Sequence, residues 1–210
     1  MKAAAIIIGI NDWEKYTLPL IKQIQQHEPK AAIYCVDAGS DVPYPKVPGV
    51  VMIHRKTKSY AQAINLAADR AIRGGAEWIV SMNNDVGCLG AFIPLLDSLT
   101  PDTIYSRQII EENGLTWFGN WVVAIPANVF LLLDGFDEDY LVCGFEDADL
   151  SARAIQFGVK TKAADLPFVH YWNSPRWQIP GYSQTRQDNI KRFADKFGWT
   201  PGREMVVTHE

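Results

Sequence analysis

Short apolar runs alternate with segments of helical periodicity over the first 82 residues, and this alternation constrains the fold more than any other feature. A continuous apolar run is typical of a strand buried on both faces, and strands that alternate with helices favour a parallel sheet. We therefore expect an α/β fold in which a mainly parallel sheet has helices on both faces. The predicted strands are 3–9, 31–37, 50–54 and 77–82, and the predicted helices are 13–27 and 59–73.

The second half of the chain has a less regular pattern. One predicted helix begins at Pro126, because proline is favoured in the first helical turn, and another ends at Gly158. No internal repeat or linker divides the sequence, so we expect a single domain spanning residues 1–210. The predicted strands here are 102–110, 116–125, 159–163 and 168–171, and the predicted helices are 126–133, 146–157 and 184–197.

Composition and charge exclude several classes of protein. Hydrophobic residues make up 48% of the chain and charged residues 21%, which is a globular balance and not that of a disordered chain. The net charge of −4 gives no long-range attraction to nucleic acid or to an anionic membrane, so an anionic substrate needs a local site. No apolar run approaches the ~20 residues of a membrane span, and the cysteines show neither zinc nor disulfide spacing. We therefore expect a cytoplasmic protein without a membrane span or a nucleic-acid partner.

One polar segment stands where a predicted strand ends, which is where ligands bind in parallel sheets. Asn83-Asn84-Asp85 offers a carboxylate and two amide oxygens, which are groups that hard divalent cations prefer. Asn and Asp are also common turn residues, so the segment taken alone favours a polar turn. If it is a ligand site, Asp85 lies at the same sheet edge as Asp37, which ends the second predicted strand.

Three carboxylates, Glu146, Asp147 and Asp149, stand at the start of a predicted helix. Acidic residues complement the dipole at a helix N-terminus, which accounts for one or two of them. The apolar and glycine-containing segment 141–145 predicts partial burial, and burial raises the pKa of a carboxylate towards that of a general base. His170 ends an apolar run and is either a hydrogen-bonded structural histidine or a metal ligand.

Taken in order, these segments resemble the family-2 glycosyltransferases of the GT-A fold over residues 3 to about 200. The most specific part is the pair Gly135-Phe136-Asp137-Glu138 and Glu146-Asp147-Ala148-Asp149-Leu150. The resemblance implies a Rossmann-like GT-A domain with a nucleotide-binding half, 1–85, and an acceptor-binding half, 86–210. The other matching segments are Val36-Asp37-Ala38-Gly39-Ser40-Asp41, residues 60–67, Asn83-Asn84-Asp85 in place of the metal-binding Asp-X-Asp, His170 as the late histidine, and residues 193–198.

The resemblance also implies a reaction. One sugar would pass from a nucleotide-sugar donor to an acceptor hydroxyl, with inversion and with the help of Mn²⁺ or Mg²⁺. Asp147 is implied as the general base, and Glu146 is the alternative base or positions the acceptor, which is a glycan, a lipid-linked sugar or another hydroxyl compound. The implied metal ligands are Asp85, His170 and Asn83, the donor-binding residues are Ile8, Gly9, Ile10, Asp37, Asn65, Asn84 and Asp85, and the acceptor-binding residues are Trp121, Asp137 and Glu146.

Two positions depart from the family pattern and leave alternatives open. Asn83 replaces the first Asp of the metal motif, and Ala38 replaces the second Asp of the nucleotide motif, so uridine is not assigned. A catalytically silent module that binds carbohydrate or nucleotide sugar on the same scaffold is one alternative. A sugar nucleotidyltransferase is another, but it requires a glycine-rich, basic loop after the first strand, and 9–13 is neither.

Overall fold

The computed structural model describes residues 2–112, 115–171 and 182–200. Within them, seven strands form a central sheet in the order β10-β6-β9-β4-β1-β2-β3. Only β9 runs antiparallel to its neighbours in this sheet, so the predicted mainly parallel α/β fold is confirmed. The strands are β1 Ala3–Gly9, β2 Ala32–Asp37, β3 Val50–His54, β4 Trp78–Asn83, β6 Thr103–Ser106, β9 Val122–Pro126 and β10 Lys160–Ala163.

Helices cover both faces of this sheet, as predicted. Alternate residues of β1 divide between two cores: Ile6 packs in the core that includes α2, and Ile7 packs in the core that includes α1. Because successive side chains of a strand point to opposite faces, one apolar strand serves both layers. The helices are α1 Leu18–His27, α2 Tyr60–Arg73, α3 Ile93–Leu96, α4 Ala127–Leu132, α5 Glu146–Gln156 and α6 Tyr182–Phe197.

Several predicted elements differ from those observed. The helix expected from residue 13 begins as a π-helical turn, Trp13–Thr17, and Pro126 ends β9 instead of starting α4. The strand expected over 116–125 is interrupted at residues 119–121, where the buried Ser106 hydroxyl lies within hydrogen-bond distance of the Gly119 and Val122 carbonyl oxygens. The hairpin strands β7 Ile109–Glu112 and β8 Leu115–Phe118 lie outside the central sheet.

Two further strands, β5 Val86–Cys88 and β11 Phe168–His170, form a small antiparallel sheet. β5 directly follows β4, so this pair brings the 168–171 segment to the carboxyl edge of the central sheet. No helix among the described residues is long and apolar enough to cross a membrane.

The register of the central strands defines that edge. Gly9 at the end of β1 pairs with Asp37 at the end of β2, and Ile8 pairs with Asn83 at the end of β4. Asp37 and the turn that contains Asp85 therefore lie at the same edge, on either side of β1. This is the edge at which open α/β sheets bind ligands.

Candidate active site

Asp85 and His170 form a buried pair at the carboxyl edge. The antiparallel pairing of β5 and β11 places His170 opposite Val86, and the Tyr171 N–H donates to the Asp85 carbonyl oxygen at 3.0 Å. The Nε2 atom of His170 lies 3.2 Å from Oδ1 of Asp85, and the two side chains are 8% and 1% exposed. Two residues that the sequence separates by 85 positions thus come into direct contact.

This pair has the chemistry and spacing of two ligands of one divalent cation. Ligand atoms about 2.0–2.2 Å from a shared metal lie about 3 Å apart, which agrees with the separation of Asp85 and His170. No group of three or more His, Cys, Asp or Glu side chains that could hold a metal occurs among the described residues. Mg²⁺ and similar ions are commonly held by one or two protein ligands together with substrate phosphates, so two protein ligands fit a metal–diphosphate site.

Trp121 fixes the plane of the His170 ring. The two rings stack at 5.2 Å between centroids with an interplanar angle of 6°. The Trp121 indole N–H donates to Gln108 Oε1 at 3.1 Å, and the backbone carbonyl oxygen of Trp121 accepts from the Asn83 N–H. Trp121, which the resemblance assigned to the acceptor, is here in contact with the implied metal ligand.

The Asp37 carboxylate shapes the loop that follows β2. It is 3% exposed and accepts hydrogen bonds from the backbone N–H groups of Gly39, Ser40 and Tyr44. Burial alone would raise the pKa of Asp37, but these hydrogen bonds outweigh burial and lower it. His54 Nδ1 lies 3.3 Å from Oδ2 of Asp37, the oxygen that also accepts from the Tyr44 N–H. The carboxylate that the resemblance assigned to donor binding thus accepts hydrogen bonds from the backbone of its own loop.

A chain of buried and partly buried hydrogen bonds connects the 83–85 segment to the Asp37 loop. Asn84 Nδ2 donates to Thr17 Oγ1 at 3.1 Å, and the Thr17 hydroxyl donates to Tyr44 Oη at 3.2 Å. Tyr44 in turn donates to the Asn11 carbonyl oxygen at 2.6 Å. A Cβ atom on Gly9 would lie 2.7 Å from the Tyr44 hydroxyl, so glycine is needed where the chain of bonds passes β1. Thr17 and Tyr44 carry no sequence motif and were not predicted.

Glu146 begins α5 and is nearly buried, with 5% of its surface exposed. Burial, followed by the charge of the adjacent Asp147, raises the pKa of Glu146 to about 7. The Gly144 N–H donates to its Oε2, and the Asn120 side-chain amide lies 3.5 Å from its Oε1. Asp147 is more exposed and accepts from the Ala148 N–H at 2.9 Å. The adjacent acids therefore occupy different environments, as a general acid–base site requires.

Tyr60 lies near two groups of site residues: the acids at the start of α5, and the pair formed by Asp85 and His170. Burial raises the pKa of the Tyr60 hydroxyl well above its usual value, and the negative charges of Glu146 and Asp85 add to the rise. The Tyr60 hydroxyl also donates to the Asn120 carbonyl oxygen at 3.4 Å. Glu146 and Asp85 are thus both close enough to the Tyr60 hydroxyl to affect it electrostatically.

The third acid of the cluster has a structural role. Asp149 is fully buried and accepts from Arg153 Nε at 2.6 Å, from Lys196 Nζ at 2.5 Å and from the Tyr140 hydroxyl at 3.2 Å. Arg153 in turn donates to the carbonyl oxygens of Leu133 and Gly135. Asp149 therefore joins α5 to the loop after α4 and to α6.

Two other implied site residues are engaged in contacts within the protein. Asp137 pairs with Lys196 and Arg192 of α6, and although burial opposes the effect, these cations lower its pKa to about 2. The Asn65 side-chain amide donates to the Phe136 carbonyl oxygen and accepts from the Phe136 N–H. These two hydrogen bonds connect α2 to the 135–138 loop. Of the implied donor-binding residues at the end of β1, Ile8 lies in the strand and is buried, and Ile10 follows the strand and is 51% exposed.

No family model and no curated protein matches the chain. Solved structures resemble it at low sequence identity. GalNAc-T7 with UDP, GalNAc and Mn²⁺ gives a TM-score of 0.72 at 12% identity and covers 91% of this chain, which spans about half, 48%, of that chain.

Two further solved structures agree with the first. The mannosyltransferase PcManGT of Pyrobaculum calidifontis, with GDP-Man and Mn²⁺, gives a TM-score of 0.63 at 16% identity and covers 95% of this chain and 66% of its own. The catalytic domain of Drosophila β1,4-galactosyltransferase 7, with xylobiose, gives 0.58 at 14% identity and covers 85% and 73%. The chain therefore has the GT-A fold of these glycosyltransferases.

Proposed function

We propose that the protein is a glycosyltransferase that moves one sugar from a nucleotide-sugar donor to an acceptor hydroxyl, with inversion and with the help of Mn²⁺ or Mg²⁺. Residues 1–85 would hold the nucleotide and residues 86–210 the acceptor. The observation that carries the proposal is the contact between Asp85 and His170 at the carboxyl edge of a GT-A sheet. The solved structures of similar fold that contain UDP or GDP-Man also contain Mn²⁺, which supports the same class of donor here.

The metal site has a definite task in this proposal. Asp85 and His170 would hold the cation, with the Asn83 amide oxygen as a third, neutral contact. A bound divalent cation neutralises the charge that develops on the leaving diphosphate. Trp121 would keep the His170 ring in the plane it has in the structure, so that Nε2 faces the cation.

The transfer is a single displacement. The acceptor oxygen forms a bond to the anomeric carbon while the bond from that carbon to the diphosphate oxygen breaks. The proton of the acceptor hydroxyl passes to Asp147, and the nucleoside diphosphate leaves. We assign the base to Asp147 because it is the more exposed of the two adjacent acids. Glu146, whose carboxyl is held by Gly144 and Asn120, would position the acceptor hydroxyl.

The metal part of the proposal is tested by thermal unfolding with nucleoside diphosphates, with and without Mn²⁺. A ligand at 100 times its dissociation constant stabilises a protein by about 2.7 kcal/mol, which is a rise of about 5–10 °C in Tm for a domain of this size. We expect this rise to require Mn²⁺ and to disappear in Asp85→Asn, which preserves the shape of the buried side chain. Asp69→Asn, on an exposed pair with Arg73, is the matched control.

The enzymatic part is tested by release of nucleoside diphosphate from a panel of nucleotide sugars and by proton NMR of the product's anomeric centre. Asp147→Asn should keep donor binding but lose transfer by about 10²–10⁴-fold, which is the usual contribution of a general base. Full activity of Asp147→Asn together with an inactive Glu146→Gln would move the base to Glu146. Metal-dependent binding of the nucleotide without any turnover would identify a silent binding module instead.

A further inference from the structure

The C-terminal helix α6 reaches into the loop that precedes the acid pair. Asn189 of α6 is 2% exposed, and its side-chain amide accepts from the Leu141 N–H at 3.2 Å. The same amide donates to the carbonyl oxygens of Leu141 and Gly144, both at 3.0 Å. Its one acceptor and two donor groups are thus all directed at residues 141–144. Such a set of bonds fixes a backbone segment and not a neighbouring side chain.

The segment that Asn189 holds has an unfavourable backbone conformation. Val142 has φ of 56°, Gly144 has φ of 104° and Phe145 has φ of 75°. Positive φ is unusual for a non-glycine residue and a clear outlier for a β-branched one, and it persists only where the surroundings impose it. On the opposite side, Val142 exchanges hydrogen bonds with the backbone of Lys58 and Tyr60. The loop is therefore held between α6 and the start of α2.

The conformation of this loop determines where the Glu146 carboxyl group is held. Phe145, at positive φ, is the residue from which α5 begins, and the Gly144 N–H points back to Glu146 Oε2. The Gly144 carbonyl oxygen accepts a hydrogen bond from the Asn189 side chain, while the Gly144 N–H donates to Glu146. The backbone of one residue therefore contacts both Asn189 and the acid. Movement of this backbone would change the distance from the N–H donor to the carboxyl group.

We propose that Asn189 is a positioning residue for the active site: it clamps the 141–145 loop so that the Gly144 N–H holds the Glu146 carboxyl group in place. The assignment of a role in transfer rests on the proposed function, whereas the clamp itself does not. Asn189 is not a catalytic residue, because its contacts are with the backbone. It acts on the reaction only through the orientation of Glu146 and of Asp147 beside it.

The proposal is tested with two variants of different severity. Asn189→Ala removes all three hydrogen bonds, and Asn189→Ser keeps a hydroxyl that can replace part of them, so it remains informative if the alanine variant folds poorly. The first measurement is the amide proton shift of Gly144, because a hydrogen bond to a carboxyl oxygen moves this resonance downfield. We expect an upfield shift in Asn189→Ala and a smaller one in Asn189→Ser.

The second measurement is kinetic. Displacement of a catalytic group by about 1 Å can lower a rate by about 10²-fold. We therefore expect kcat to fall by at least about tenfold in Asn189→Ala, while the dissociation constant of the nucleoside diphosphate with Mn²⁺ stays unchanged.

The matched control is Glu28→Ala. Glu28 is also buried and also holds backbone, since it accepts from the N–H groups of Phe92 and Ile93, which belong to the opposite core, and alanine removes these bonds as it does at position 189. If Glu28→Ala lowers kcat as much as Asn189→Ala does, the effect is loss of stability and the positioning role is refuted. An unchanged Gly144 resonance in both Asn189 variants refutes the clamp. A wild-type protein without transferase activity refutes the proposed function, and the Gly144 resonance still decides whether the clamp exists.

Discussion

Replacement of Asp149 by asparagine should destabilise the protein without removing a reacting group. Asp149 is fully buried, and its carboxylate is bonded to Arg153, Lys196 and Tyr140. Removing one partner of a buried ion pair costs about 3–5 kcal/mol, because the other charge is left uncompensated. Here Arg153 retains two carbonyl partners and Lys196 retains Asp137, so we expect the lower limit, about 3 kcal/mol.

Urea unfolding at pH 7, followed by tryptophan fluorescence, measures this loss directly. For a chain of 210 residues, 3 kcal/mol corresponds to a decrease of about 6–12 °C in Tm, since each kcal/mol shifts Tm by about 2–4 °C. The m-value should not change, because the substitution alters the free energy of unfolding and not the surface that unfolding exposes.

Asp147→Asn is the reciprocal experiment, two residues earlier on the same helix. Its carboxylate is partly exposed and accepts a bond from the Ala148 N–H, so we expect the unfolding free energy to change by less than about 1 kcal/mol. Transfer should be lost in this variant and retained, below its Tm, in Asp149→Asn. The reasoning is refuted if Asp149→Asn abolishes transfer while the free energy of unfolding stays that of the wild type.

Three further predictions concern stability and its pH dependence. Asp137 has a lowered pKa of about 2, so its ion pairs stabilise the native state above pH 4 by up to about 2 kcal/mol. This contribution is lost as pH falls to 2. Acid unfolding of Asp137→Asn should therefore depend less on pH than that of the wild type. Glu146 has a raised pKa of about 7, so the native state is destabilised as pH rises from 4.5 to 7, and Glu146→Gln should gain stability over the wild type at pH 8 but not at pH 4 in urea unfolding. Tyr44→Phe leaves the buried Thr17 hydroxyl and the Asn11 carbonyl oxygen without this partner and should cost about 1–3 kcal/mol in urea unfolding, whereas Tyr34→Phe, whose hydroxyl bond is 3.5 Å long, should cost less.

Local pattern was sufficient for the main elements of the fold. The apolar run of β1 and the periodicity of α2 predicted their places within one residue, because each depends mainly on which side chains are buried. The same pattern was insufficient for β8 and β9. There the chain leaves the strand at residues 119–121, next to the contacts of the Ser106 hydroxyl with the Gly119 and Val122 carbonyl oxygens, and no local composition encodes those contacts.

The candidate site shows a similar division. Motif order singled out Asp85, His170, Glu146 and Asp147, and the resemblance implied that Asp85 and His170 share one cation; the physical cause of their contact, the pairing of β5 with β11, is visible only in the structure. The resemblance assigned catalytic roles to Asp147 and Glu146 and none to Asp149, but it gave no physical reason for the difference. Asp149 differs from its neighbours only in what surrounds it, and most of those partners lie outside α5.

The amino-acid sequence by itself determined the alternation of strands and helices, the edge at which polar residues gather and the set of acids available for chemistry. These properties follow from local periodicity and from where strands end. Only the tertiary structure decided which carboxylates are bonded within the protein, as Asp37 and Asp149 are, and which lie beside His170, as Asp85 does, or at the start of α5, as Glu146 and Asp147 do. That decision depends on partners far apart in the chain, since burial and pairing, and hence pKa, are properties of the packed molecule.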